Sequence, residues 1–108
     1  MTIVRSIRFD RNAPVDAAEP TTTHNWYEDA SGVLASGFWA SRPYKAAVNY
    51  TEDEFCCILE GKVRLTDSAG TVEEYKAGDA FVIPKGFTGT WETVEPVKKF
   101  YVIHTPKS

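Results

Sequence analysis

Glu54-Phe55-Cys56-Cys57-Ile58-Leu59-Glu60-Gly61, with Gly78-Asp79-Ala80-Phe81-Val82-Ile83-Pro84-Lys85-Gly86 further along, is the stretch on which the fold turns. The first block is a glutamate, six residues and a glycine; the second is a glycine, five residues, a proline, one residue and a glycine. Both blocks are short apolar runs closed by residues that turn a chain. Glycine tolerates positive φ, and proline cannot donate a ladder hydrogen bond. In 54–60 one face bears Glu54, Cys56 and Ile58 and the other Phe55, Cys57 and Leu59, since neighbouring strand side chains point to opposite sides. Both faces are mostly apolar, so the strand is expected to be covered on both sides.

Outward from these blocks the same rhythm holds. Runs rich in Val, Ile, Phe, Tyr and Trp predict strands at 33–40, 45–50, 54–60, 62–67, 71–75, 80–83, 88–94 and 98–104. Glu60-Gly61 reads as a tight turn between two of them. Asp67-Ser68-Ala69-Gly70, Lys76-Ala77-Gly78-Asp79 and Pro84-Lys85-Gly86 supply further turns. Helical periodicity is nearly absent. The fold class is all-β, a sandwich or barrel.

The first thirty residues differ. Arg11 to Thr23 has no periodicity and reads as an extended arm. The division expected is an arm over 1–30 and a barrel domain over 31–108. Thr2 to Phe9 could add an edge strand, and Trp26 and Tyr27 would pin the end of the arm. It would cross onto a neighbouring subunit or lie on its own barrel; either arrangement fits the residues.

With 108 residues the chain is one domain with a modest core. Twelve basic residues stand against fifteen acidic, a formal charge of −3 without clusters, which argues against a nucleic-acid partner. Lys98-Lys99, the longest basic run, reads as a solvated strand end. No apolar stretch approaches the ~20 residues of a membrane span. The N-terminal residues lack a signal-type hydrophobic region, and adjacent strand cysteines are badly placed to bond each other, so a reducing cytoplasm is the expected location.

From about Gly32 to Thr105 the chain resembles a cupin. Asn49-Tyr50-Thr51-Glu52-Asp53-Glu54-Phe55 with Ile58-Leu59-Glu60-Gly61, and Gly78 through Gly86 continuing Phe87-Thr88-Gly89-Thr90-Trp91-Glu92, look like the small single-domain cupins allied to ureidoglycine aminohydrolase. That branch includes a relative involved in ethanolamine utilisation. The resemblance implies a compact antiparallel jelly-roll β-barrel (a double-stranded β-helix), commonly a homodimer.

Complete cupin motifs carry three histidines that hold a metal with the glutamate. The first pair would fall here at Ala47 and Asn49, or at Val48 and Tyr50, and the third at Gly89. None is histidine. Glu54 alone, or with the Asn49 amide, falls short of the three or four protein ligands such sites need. His24 and His104 have no metal-spaced partner and read as packing or surface residues. No metal and no cofactor is expected.

What remains is a carboxylate in an aromatic enclosure. Glu54 is the candidate general acid or base; Trp39, Asn49, Tyr50, Cys56, Trp91 and Tyr101 are candidate ligand contacts. Arg42 or Lys45 could pair with Glu54 or with an anionic ligand. Three functions stay open. The first is a metabolite-binding cupin without a tightly held metal. The second is an aminohydrolase-like enzyme acting on a ureido or amino compound. The third is a dimeric scaffold whose barrel is filled by Trp39, Trp91 and Tyr101.

Overall fold

A computed structural model describes residues 3–106. Its seven strands are β1 (Thr21–Glu28), β2 (Leu34–Ser41), β3 (Tyr44–Asn49), β4 (Asp53–Asp67), β5 (Val72–Lys76), β6 (Ala80–Ile83) and β7 (Thr88–His104), and every pairing is antiparallel. There is no helix among the described residues. The all-β expectation holds.

Two long strands organise the rest. β4 and β7 run side by side from Asp53↔His104 to Asp67↔Gly89. Their first and second halves collect different neighbours. Glu54 to Cys57 pair with β6, while Lys62 to Thr66 pair with β5. β2 pairs with Val97 to His104 of β7, and β3 with Thr88 to Thr93. The sheet is thus creased into two leaves, β1-β2-β7-β4-β6 and β3-β7-β4-β5. The leaves close on one core: Cys56, Ile58, Phe81, Ile83 and Val97 of the first meet Val63, Leu65 and Trp91 of the second. Each such side chain taken fully from water is worth roughly 1.5–3 kcal/mol before entropy is charged against it.

Glu60-Gly61 is therefore not a turn between two strands. β4 passes straight through it, and the register shifts repeatedly between Ile58 and Val63. A β-bulge bends a strand without ending it. Gly61, at φ 91°, sits against the opposing strand so closely that a Cβ would lie 2.1 Å from the Pro96 carbonyl oxygen. Pro96 has no amide hydrogen to offer the ladder, so the crease falls where pairing is weakest.

The N-terminal region departs from the expected boundary. β1 belongs to the barrel sheet, paired with β2 across Asn25↔Gly37, so the sheet begins inside the segment read as arm. Residues 3–9 form no strand, and Thr2 lies outside the described residues. Residues 9–14 lie on their own leaf. Phe9 meets Trp26 and Phe100 edge-on, Ala13 is buried beside Phe38 and Ala40, and His24 Nε2 lies 2.9 Å from the Pro14 carbonyl. No helix among the described residues is long and apolar enough to cross a membrane.

Candidate functional site

Alternation along β4 and β7 brings the site together. Glu54 and Cys56 of β4 point between the leaves, as do Lys99 and Tyr101 of β7, because Ile58 is opposite Lys99 and Cys56 is opposite Tyr101. On the other side of β7, Trp39 of β2 is opposite Lys99. Trp91, two residues beyond Gly89, comes in from the second leaf. These side chains line a cavity of about 300 Å³ with Tyr44, Val48, Tyr50, Ile103 and, at its mouth, Thr23.

The floor is a buried ion pair. Lys99 Nζ donates to Glu54 Oε2 at 2.6 Å, with Glu54 only 8% and Lys99 5% exposed. The Cys56 thiol donates to the same carboxylate oxygen at 3.2 Å, and its Sγ lies 3.4 Å from Lys99 Nζ. Burial pushes that thiol up to about 12, against the nearby ammonium, so Cys56 stays protonated and serves as a donor. The ammonium also lies over two indoles, 4.4 Å from the Trp91 ring and 4.8 Å from that of Trp39, and the indoles meet edge to face at 5.5 Å. A desolvated cation over an indole face is worth ~2 kcal/mol or more.

The walls are held by their own bonds. Trp91 Nε1 donates to Thr93 Oγ1 at 2.9 Å, and Thr93 shares a 2.6 Å hydrogen bond with Ser41. The Tyr101 hydroxyl donates to Asn25 Oδ1 at 2.9 Å. Tyr50 is fixed by its backbone, giving its amide to Phe87 and taking that of Gly86. Burial raises the phenol pKa of Tyr50, with the Glu54 charge adding to the shift, and burial likewise raises that of Tyr44, opposed by Lys99. Both phenols therefore keep their protons.

The sequence-derived site is thus placed unevenly. Glu54, Trp39, Tyr50, Trp91 and Tyr101 share the cavity, and Cys56 lies beneath it as a partner of Glu54. Asn49 does not join them. With Val48 and Tyr50 inward, alternation turns Asn49 outward, where it is exposed and accepts from Thr88. Arg42 and Lys45 are exposed and do not reach Glu54; the partner is Lys99, which is no solvated strand end. Tyr101 carried the signal for it, since residues 99 and 101 of a strand share a face. Tyr44 and Ile103 follow by the same rule.

The donors around Glu54 do not suit a metal ion. The positions that would flank it are Val48, Tyr50 and Gly89, none of which offers an imidazole or carboxylate. The cation seat beside its oxygen is taken by the Lys99 ammonium, which would repel a divalent ion. No group of three or more His, Cys, Asp or Glu side chains with metal-holding geometry occurs among the described residues.

Two creased leaves around a half-open cavity define a small jelly-roll barrel with a charged floor. The model of the EutQ-like cupin domain matches residues 28–101, and the chain belongs to that family. Among solved structures, it is similar to a DUF861-family protein of unknown function from Pseudomonas syringae (26% identity, TM-score 0.76). That alignment covers 88% of this chain and 46% of the other, so the chain spans about half the length of that protein. A DUF861-family protein from Thermotoga maritima is 36% identical over 59% of this chain and 73% of its own, with a TM-score of 0.58. A putative ethanolamine utilization protein Q from Salmonella typhimurium shares the fold at 22% identity, covering 94% of this chain and 80% of its own with a TM-score of 0.72. A search of curated proteins finds no match.

Proposed function

We propose that this chain binds a small polar metabolite in the barrel cavity, without a tightly held metal, acting as a cytoplasmic homodimer. The observation that carries the reading is the buried Glu54–Lys99 pair at the floor of an aromatic cavity that remains about 300 Å³ in volume. Two charges are costly to bury, and a filled core would do better with apolar side chains of the same size. A charged floor under open space is what a ligand site requires. The filled-barrel scaffold finds less support, because Trp39, Trp91 and Tyr101 line the space without closing it. The dimer rests on the outer face of the first leaf, where Phe55 (43% exposed) pairs with Val82 (55% exposed) and with Val102.

The test is a thermal-shift screen over ureido compounds, amino acids, amino alcohols and sugar acids at millimolar concentration. A binder raises Tm in proportion to the logarithm of concentration over Kd. At least one class is expected to do so, and silence across the panel would retire the metabolite reading. Light scattering should give twice the chain mass, falling to one chain in Phe55→Glu; a wild-type monomer would refute the dimer.

A ureidoglycine aminohydrolase-like activity is the second reading. It is favoured by the carboxylate–ammonium contact of 2.6 Å, a ready path for a proton between Glu54 and Lys99. Under it, Glu54→Gln abolishes turnover of a ureido or amino compound while ligand binding persists. Wild-type protein that binds such a compound without converting it would exclude this reading.

A further inference from the structure

The floor of the cavity has partners to spare, and their charges select a ligand. Both Lys99 and Cys56 bond Glu54 through Oε2, leaving Oε1 without a hydrogen bond among the described residues. Lys99 has three protons and uses two, on Oε2 and on the Cys56 sulfur. Beside them the Tyr44 and Tyr50 phenols keep their protons and give them to no described residue. No buried side-chain nitrogen or oxygen among the described residues lacks a hydrogen-bond partner, so Glu54 Oε1 and the two phenol oxygens are not sealed in protein. Glu54, Lys99, Tyr44 and Tyr50 all line the cavity. A free anionic acceptor and a free cationic donor thus stand side by side.

We propose that the ligand is a small zwitterion, an amino acid in the broad sense. Its carboxylate accepts a hydrogen bond from the Lys99 ammonium, and its ammonium donates one to Glu54 Oε1. This rests on the cavity being a ligand site, the reading given above. Glu54 and Lys99 cancel, so the empty floor carries no net charge. The walls above it are two indoles, three phenols, Val48 and Ile103. A lone carboxylate or a lone ammonium would leave an uncompensated charge in that enclosure, which is costly. A zwitterion keeps the sum at zero and gives each spare charged group an opposite partner; such hydrogen bonds are about twice as strong as neutral ones. At ~30 Å³ per water-sized group, about ten such groups fit in 300 Å³, so the ligand is small.

The experiment uses matched series that share one carbon skeleton. β-Alanine, propionate, propylamine and propionamide form the first set, and leucine, 4-methylpentanoate, 4-methylpentan-2-amine and 4-methylpentanamide the second. Each is titrated calorimetrically into the wild-type protein and into Glu54→Gln, Lys99→Gln and the double variant. Wild type is expected to prefer the zwitterion of a set by at least about tenfold in Kd, the ratio that ~1.4 kcal/mol produces. Glu54→Gln leaves a positive floor and should favour the monocarboxylate; Lys99→Gln leaves a negative one and should favour the amine. If either single variant fails to fold, the double variant decides, because a floor of two amides should lose the zwitterion preference altogether. A neutral or singly charged analogue binding wild type as tightly as its zwitterion overturns the proposal, as does an unchanged ranking in the double variant. Binding without charge order sinks only this inference. No binding by any compound sinks it together with the cavity reading.

Discussion

Lys98 and Lys99 are neighbours in sequence and occupy different solvents. Lys98 points to the outer face of the first leaf and reaches Glu60 at 3.5 Å through water-wet side chains. Lys99 points between the leaves, closed in by Glu54, Cys56 and two indoles. The contrast runs along both strands. The inner face of β4 and β7 bears Glu54, Cys56, Lys99 and Tyr101, while the outer face bears Phe55, Cys57, Leu59, Phe100 and Val102. In part the usual placement is inverted, with charge inside and hydrophobic residues out. The outer face can be apolar because it has cover: Phe9, Ala13 and Trp26 lie over Phe38, Leu59 and Phe100 at one end. Charge on the inner face is retained at a cost to stability, and such a cost persists where a function uses it.

Breaking the inner pair should have the largest effect. Lys99→Met strands the Glu54 carboxylate in the interior, and removing one partner of a buried pair costs about 3–5 kcal/mol. Urea denaturation at pH 7 measures it. The double variant Glu54→Gln/Lys99→Met should be more stable than Lys99→Met alone, since it removes the orphaned charge as well. A double variant no better than the single would mean that the carboxylate finds other compensation. Gly61→Ala tests the crease that separates the two environments. A methyl 2.1 Å from the Pro96 carbonyl at φ 91° demands movement of both long strands, and a loss above ~3 kcal/mol is expected by the same measurement.

On the outer face the effect shrinks. Phe9→Ala removes one ring from the cover over Trp26 and Phe100 while leaving the rest of the arm seated. Phe9 is only partly buried, so the cost should fall to roughly 1–2 kcal/mol, below the 3–5 typical of a core phenylalanine. A loss equal to that of Lys99→Met would show that the arm, not the charged floor, dominates the stability of this leaf.

The inner and outer faces were unequally legible in the sequence. The two glycine- and proline-punctuated blocks announce a β-barrel, and alternation from Glu54 finds Cys56 while alternation from Gly89 finds Trp91. The ion pair is hidden because two adjacent lysines look like a wet strand end. A hydropathy pattern cannot tell which of them turns inward; the parity of Tyr101 can. Asn49 errs by one residue, and in a strand one residue is the opposite face. Gly61 misleads for a different reason: positive φ suits a tight turn and a bulge equally, and only the long pairing of β4 with β7 separates them. β1 lacks apolar alternation because its part-buried positions include Thr21, Thr22 and His24, so Thr21, Thr22 and Thr23 read as the end of the extended arm.

The alkaline limb probes the inner face by its protons. Cys56 titrates at about 12 in the folded chain, above its ordinary value of 9.0, because burial disfavours the thiolate. Between these values the unfolded chain has lost the proton that the folded chain retains. Stability is therefore fully present below pH 9 and falls as pH rises toward 12. Tyr50 contributes in the same direction, since its phenol pKa is also raised. In Cys56→Ala the decline between pH 9 and 11, followed by chemical denaturation, should be shallower than in wild type. An identical slope would mean that the thiol is wetter than its position beneath Glu54 implies.

The smallest expected effect sharpens the opening contrast most. Lys98→Met removes a cation one residue from Lys99 and of the same length, on the same strand. Its bond to Glu60 joins side chains that are 27% and 51% exposed, and such pairs are worth about 0–1 kcal/mol. Its loss should stay within ~0.5 kcal/mol and vanish in 1 M salt, where the Debye length is about 3 Å. The cost of Lys99→Met should barely respond to salt, because ions do not enter the space between carboxylate and ammonium. Equal salt sensitivity at the two lysines would place Lys99 in water, and the charged floor would then lose its reason to select a ligand.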